Sequence, residues 1–362
     1  MSMEIKIFKD IHNRELKEAW IRLGEESDVF PQMYYEWIEP WWRLRVEGKK
    51  LHVIVLYDEN RAIAIAPFCL EKRLGITVLA SIPIHYGDKF EIIIDGAYSQ
   101  REILQIMFKH ISKFQDFNFV KITNVQKESE LYYFLKSINY RDKYLIGCPL
   151  SDFSNVNFDT YLKRIDGKVR SDYRRRQRRL EELGSLSFEV SQDPEFYKHN
   201  QSLFREIYER RWQNVDTKLP DELVYRCREE AYTACLEKKK ALMAILRLDG
   251  RIIGYRIGFL HQQCYYDWKI CFDVDFAKFG LGSIMTGKLI EILIPMGFSM
   301  INHGAGDYSY KRDWTLDNRV KPNYEFFASS SSPLANIYLL YRVKYREMLK
   351  TYYHKYYKKG RK

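Results

Sequence analysis

The run from residue 241 to 297 constrains this chain most. ALMAILRL (241–248), a turn at Asp249-Gly250, RIIGYRIGFL (251–260), a polar break at His261-Gln262 and QCYYDWKICF (263–272) read as a three-stranded antiparallel meander. DFAKFGLGSIMTGKLIEILIPMG (275–297) follows, with Gly280 and Gly282 one residue apart where a helix over 282–295 is expected to begin. A strand, a glycine turn and a helix N-terminus present free backbone NH groups and the positive end of the helix dipole, which suits a phosphate or pyrophosphate group. Small residues let an oxygen approach the backbone closely. The same two glycines also serve as a plain cap and turn. A parallel dinucleotide-binding unit would need GxGxxG with an acidic residue about 20 positions on, and a P-loop would need GK[ST]. Neither is present, because Lys288 comes too late.

The flanking segments extend the pattern. LHVIVLY (51–57) and RAIAIAPFCL (61–70) are apolar runs of strand length, joined by Asp58-Glu59-Asn60 as a hairpin turn, and FEIIID (90–95) is a third. Helical spacing of Ile103, Ile106, Met107, His110, Ile111 and Phe114 predicts a helix over 100–114, and FNFVKIT (117–123) returns to strand. Helices are expected over 158–183, 194–214 and 221–239, with strands at 186–190, 298–303 and 324–328 and a basic, tyrosine-rich helix over 334–358. Hairpin strands, a helix and a strand thus occur in each half. With 362 residues, two domains are expected: 1–150 and 151–333, followed by a C-terminal helix, 334–362.

Charge is local. The net charge is +11, yet residues 168–179 hold seven basic side chains against Asp172, and 338–362 hold nine against Glu347, so the remainder is slightly acidic. The six cysteines form no CxxC pair, and no His/Cys cluster has zinc spacing, which points to reduced thiols and no structural metal. The N-terminal residues are charged throughout, without a signal-peptide core, and no apolar run approaches the ~20 residues that cross a bilayer. A cytoplasmic protein is expected, with peripheral contact at the inner membrane face as an option.

A meander feeding a glycine turn and a helix resembles the GNAT N-acyltransferases, whose [RQ]xxGx[GA] loop cradles the pyrophosphate of coenzyme A. Residues 277–282, AKFGLG, match both glycines, with Ala277 where Arg or Gln is usual and Lys278 beside it. NHGAGDYSYKRDWT (302–315) resembles the G-[DE]-x-x-YK-x-x-W signature of BioF2-like or CelD-type acyltransferases, relatives of the FemABX peptidyltransferases, through Gly306, Asp307, Tyr310, Lys311 and Trp314. That family often carries an arginine-rich helix ahead of its transferase domain, and RSDYRRRQRRLEELG (170–184) has that character. The resemblance spans about 150–330. It implies an α/β (α+β) fold of tandem GNAT-like domains, each a mixed, mainly antiparallel sheet flanked by helices, with the first domain degenerate.

The same resemblance implies an acyl-CoA-dependent N-acyltransferase, with acetyl-CoA or another acyl-CoA held at Lys278, Phe279, Gly280, Leu281, Gly282 and Ser283. Its acceptor would be an amine, for instance on an amino sugar or a cell-envelope or polysaccharide precursor. The alternatives are a FemABX-like aminoacyltransferase that uses aminoacyl-tRNA, and a non-catalytic basic adaptor on the same fold. Acyl transfer to an amine needs a neutral nucleophile, a stabilised oxyanion and a proton for the leaving group. Alternation places Asp267 and Tyr265 on one face of strand 263–272. If that face lines a cleft, Asp267 is a base or amine-binding carboxylate; if it meets solvent, it is an ordinary surface acid. Asp307, at a strand end in a glycine-rich loop, is the preferred catalytic candidate, with His303 sharing the base role and Tyr310 as proton donor. Lys311, Trp314 and Tyr265 are candidate substrate contacts, Lys311 as an anion binder.

Two basic helices remain open in meaning. Arg170, Arg174 and Arg178 share one helix face, which suits tRNA phosphates or an acidic protein surface. Leu339, Leu340, Val343 and Leu349 among tyrosines and lysines suit either an anionic membrane surface or packing on the domain. No motif for sequence-specific DNA reading is present.

Overall fold

The structure is a computed structural model, and it describes residues 3–45, 47–82, 89–213, 219–346 and 348. In chain order the elements are β1 (Met3–Phe8), α1 (Arg14–Glu26), α2 (Tyr35–Arg45), β2 (Lys49–Asp58), β3 (Arg61–Arg73), β4 (Ile76–Ser81), β5 (Ile93–Ile94), α3 (Gln100–Ile111), β6 (Phe119–Gln126), α4 (Glu130–Ser137) and β7 (Arg141–Asp152). Then come α5 (Phe158–Arg164), α6 (Gly167–Glu181), β8 (Leu186–Ser191), α7 (Pro194–Trp212), α8 (Glu222–Glu237), β9 (Ala241–Leu248), β10 (Arg251–His261), β11 (Cys264–Phe272), α9 (Leu281–Leu293), β12 (Met300–Asn302), α10 (Ser309–Arg312), β13 (Val320–Ser329) and α11 (Pro333–Leu340).

Two compact units result. The first comprises residues 1–35, 46–145 and 322–362; the second comprises 36–45 and 146–321. Residues 322–333, grouped with the second half by the sequence, fall in the first unit because β13 pairs antiparallel with β6. Residues 36–45 fall in the second because Trp37 packs edge-on against Phe259 and Trp268, at 5.0 and 5.2 Å between ring centroids.

In the first unit β1, β2, β3 and β4 form an antiparallel meander, and α3 leads across to β6, which lies parallel to β4. The expected strand 90–95 is reduced to the two residues of β5 on β3. In the second unit β8, β9, β10 and β11 form the meander, α9 leads across to β12 parallel to β11, and β7 completes the sheet antiparallel to β12. Each unit is therefore a mixed, mainly antiparallel sheet flanked by helices, in a tandem GNAT-like arrangement. The β9–β10 turn has positive φ at both Asp249 (48°) and Gly250 (80°), the I′ geometry whose twist matches the strands.

The central strands β9 and β10 are buried almost throughout because helices cover both faces. On one side the Tyr255 hydroxyl of β10 donates to Phe204 O of α7, and Tyr232 of α8 donates to Leu242 O. On the other, Arg256 reaches Thr286 of α9. The six cysteines are buried as free thiols. The expected helix 334–358 appears as α11 with a continuing π-helical turn, Tyr341–Tyr345; residues 347 and 349–362 lie outside the described part.

Candidate functional site

Two features of the second sheet make room for a site. Strand β11 pairs with β12 only through Cys264–Tyr266 against Met300–Asn302, so the two chains part beyond Tyr266. A register shift also sits opposite Ile257 and Gly258, where Ile257 faces Lys269 and Gly258 faces Asp267. This bulge puts Asp267 on the α9 side with Arg256, and Lys269 on the α7 side with Ile257.

Arg256 organises what lies at the parting. It is 1% exposed and grips both carboxylate oxygens of Asp267, at 2.7 and 3.0 Å. Its Nη1 donates to Thr286 Oγ1 at 2.9 Å, and that hydroxyl donates to Gly282 O in the first turn of α9. Its Nη2 donates to His303 Nδ1 at 3.2 Å. Because arginine is a donor only, His303 carries its proton on Nε2, which donates to Ser151 Oγ of β7 at 2.7 Å, and Ser151 donates to Trp314 O at 2.5 Å. Tyr161 of α5 donates to the same carbonyl. Burial, then the charges of Arg256 and Lys311, hold the His303 imidazole well below its ordinary pKa. The imidazole is neutral with its lone pair committed, so the expectation that His303 serves as a base is corrected to a bridging role in this network.

The glycine turn is shaped as expected and covered differently. Gly280 has φ +64° and caps α9, a conformation glycine adopts without steric cost. A Cβ at Gly280 would lie 2.6 Å from Nη1 of Arg176, so a side chain of α6 already lies over the turn. Phe279 and Leu281 are buried in an apolar cluster with Leu180, Ile284 and Met285. The Lys278 ammonium sits over the Phe279 ring, 5.3 Å from its centre. Of the six residues expected to hold the donor, Ser283 alone lines the neighbouring cavity.

That cavity has a volume of about 860 Å³. Basic Arg164, Lys168, Arg176 and Arg312 and acidic Asp166, Asp172, Asp313 and Asp317 share its walls, with Ser283 at the start of α9. Asp313 is raised by burial, opposed by Arg176, and raised further by Asp166 and Asp172. Asp166 caps α6 through the Lys168 and Val169 NH groups, which starts the arginine helix at the cavity rim.

Arg312 clamps both oxygens of Asp307, and this hydrogen-bonded partner lowers the carboxyl below its ordinary range. Tyr310 is 53% exposed and stacks on Tyr308 at 5.9 Å; burial first, then the Asp267 charge, raise its pKa, with Arg211 and Arg256 opposing. Lys311 donates to Ala305 O at 2.9 Å, holding the 303–307 loop. Trp314 and Tyr265, expected to touch substrate, are both fully buried. Trp314 packs edge-on to Tyr173 of α6 at 5.3 Å and Tyr265 lies in the same apolar cluster, so both are corrected to core positions.

The structure thus joins Asp267, His303 and, by charge, Tyr310 at the strand parting, while Asp307 is tied to the cavity through Arg312. The sequence reading did not find Arg256, Ser151, Thr286, Arg176 or Arg312. Arg256 alone had a legible signal, being a charged residue inside an apolar central strand. Among the described residues no group of three or more His, Cys, Asp or Glu side chains is placed to hold a metal ion. None of their helices is long and apolar enough to cross a membrane.

Residues 167–312 match a sequence family described as an acetyltransferase (GNAT) domain, so the second unit carries an acyltransferase domain. No curated protein matches the sequence. Among solved structures the chain is similar to FemX, with 15% identity, a TM-score of 0.62, and coverage of 93% of this chain and 99% of that one. It is also similar to L-PGS from Bacillus licheniformis (16%, TM-score 0.58, 93% and 99%). A third is the C-terminal domain of a putative lysylphosphatidylglycerol synthetase from Agrobacterium fabrum (12%, TM-score 0.52, 80% and 86%). The fold is that of the GNAT superfamily, resembling FemX-type transferases. These similarities, to FemX and L-PGS over 93% of this chain, overturn the expected acyl-CoA donor and acyl-CoA-dependent activity.

Proposed function

We propose that this chain, a transferase with the GNAT-superfamily fold, moves an aminoacyl group from aminoacyl-tRNA to an amine of a cell-envelope precursor in its second unit. The observation that carries this reading is the cavity between α6, the N-terminus of α9 and the 312–318 segment, whose walls hold four basic side chains for phosphates and four aspartates that suit a donor's α-ammonium. A volume of about 860 Å³ lies within the usual range of about 300–1,000 Å³ for ligand sites and suits the aminoacylated end of a nucleic acid. Arg174, Arg175, Arg178 and Arg179 continue the basic surface of α6 from that rim, the arrangement a phosphate backbone needs.

In the reaction the acceptor nitrogen attacks the ester carbonyl, an oxyanion forms, and the bond to the ribose oxygen breaks. The amine gives up a proton and the ribose oxygen gains one. We assign the donation to Tyr310, a half-exposed side chain whose hydroxyl is held protonated by burial first and then by the Asp267 charge. Arg176 and Lys168 bind donor phosphates, and Asp307 holds Arg312 toward the cavity. A tRNA donor implies a cytoplasmic-face location.

The test is transfer of labelled amino acids from a charged tRNA pool to envelope-precursor amines, with uncharged tRNA as competitor. Arg176→Ala combined with Lys168→Ala is expected to weaken tRNA binding and to flatten the plot of log affinity against log salt by about 1.5 units. Absence of both salt-sensitive tRNA binding and label transfer would sink the proposal.

A further inference from the structure

The described part of the C-terminal basic segment does not line the cavity and has a surface of its own. Helix α11 and the turn that continues it pack one side on the first unit. Ala335 is buried, Tyr338 packs edge-on to Phe119 at 5.0 Å, and Arg342 bonds Glu325 of β13 at 2.9 Å. The other side carries Leu334, Ile337, Leu340, Tyr345 and Met348, each between 46% and 64% exposed. These positions form the exposed stripe of α11 and of the π-helical turn and residues that continue it.

A second element extends it. Leu74, at the tip of the β3–β4 hairpin, is 78% exposed, and a Cβ on neighbouring Gly75 would sit 3.3 Å from Leu334 Cδ2. The hairpin tip therefore abuts the start of the stripe. Scattered exposed apolar residues are ordinary, but a ridge of six from two elements is not.

Charge selects the occupant. Residues 333–346 contain Arg342, Lys344 and Arg346 and no carboxylate, and six further Lys and Arg follow in sequence up to residue 362. Glu71, beside the hairpin tip, is already bonded by Arg73 and Lys121. A second copy of the chain across a two-fold axis would set this basic stripe against itself. We infer that the ridge of Leu74, Leu334, Ile337, Leu340, Tyr345 and Met348 docks on an anionic bilayer surface, inserting its apolar side chains at the headgroup level while Lys344 and Arg346 meet lipid phosphates. No described helix is long and apolar enough to span, so the contact is interfacial.

Sedimentation of the full chain with vesicles tests this independently of any tRNA chemistry. The protein is expected to pellet with phosphatidylcholine vesicles containing phosphatidylglycerol, to stay in solution with phosphatidylcholine alone, and to be released by added salt. Leu74→Glu and Ile337→Glu, both at exposed positions, are each expected to cut the bound fraction about ten-fold while leaving the thermal midpoint and tRNA binding unchanged. Lys344→Glu should do the same through charge. Binding that is absent, that is indifferent to phosphatidylglycerol, or that survives Ile337→Glu overturns the inference. So does a dimer in solution that Ile337→Glu dissociates, which would make a second copy the occupant.

Discussion

At the scale of the residue, Arg256 and Lys269 show how a bulge divides two cations between the faces of one sheet. Arg256 is compensated in full by Asp267, Thr286 and His303. Removing one partner of a buried pair leaves the other charge stranded, so Arg256→Ala is expected to cost about 3–5 kcal/mol in urea denaturation. Arg256→Met paired with Asp267→Leu should recover part of that loss, because the unpaired charge is gone. Lys269 is the opposite case. Burial first, then the Arg228 guanidinium, bring its pKa down to about 7, with Cys271 and Glu229 opposing, and its ammonium lies 3.9 Å over the Tyr208 ring. Between about pH 7 and the ordinary lysine value the unfolded chain binds more protons than the folded one, so stability rises with pH across that window. Lys269→Met is expected to remove this rise, read as denaturation midpoints at a series of pH values.

At the scale of the element, α6 and α9 pack closely because α9 offers a glycine to an aromatic pair. A Cβ on Gly287 would lie 2.4 Å from Tyr173 and 2.8 Å from Trp314. In an open helix Gly→Ala is worth roughly 1 kcal/mol of added stability. Here overpacking wins, and Gly287→Ala is expected to destabilise by about 1–3 kcal/mol, measured as a fall in the denaturation midpoint. The same packing carries Arg176 to the glycine turn, so a loosened α6 should also weaken tRNA binding. Elements with strong local signals were legible: the meander, both hairpin turns and α9 lie within two or three residues of where periodicity and turn chemistry placed them. Helix α2 was not, because Pro40 interrupts its pattern and its Trp37 anchors to Phe259 and Trp268, far along the chain. Strand β7 was missed because its first half is largely exposed and shows no clean alternation.

At the scale of the whole molecule, the order of meander, crossover helix and parallel strand recurs in both units, the first closed by β13 from far along the sequence and the second by β7, which begins its own stretch. The return of β13 explains why boundaries read from composition fall short, since strand pairing carries no compositional mark. Net charge resides in α6 and the C-terminal segment, and we expect tRNA and vesicle binding to fail independently when each is neutralised. Filter binding and sedimentation on the two variants would check this. By itself the sequence determined the β2–β3 hairpin, the β9–β10–β11 meander, the glycine turn at the head of α9, the two basic segments and the 306–314 loop, because each rests on neighbours within about a turn or a hairpin. Only the tertiary structure decided that His303 is a neutral bridge, that Trp314 and Tyr265 are core, and that Arg176 covers the glycine turn. Those roles depend on partners 47 to 152 residues away in His303's case, and contact at that range is set by packing rather than by local pattern.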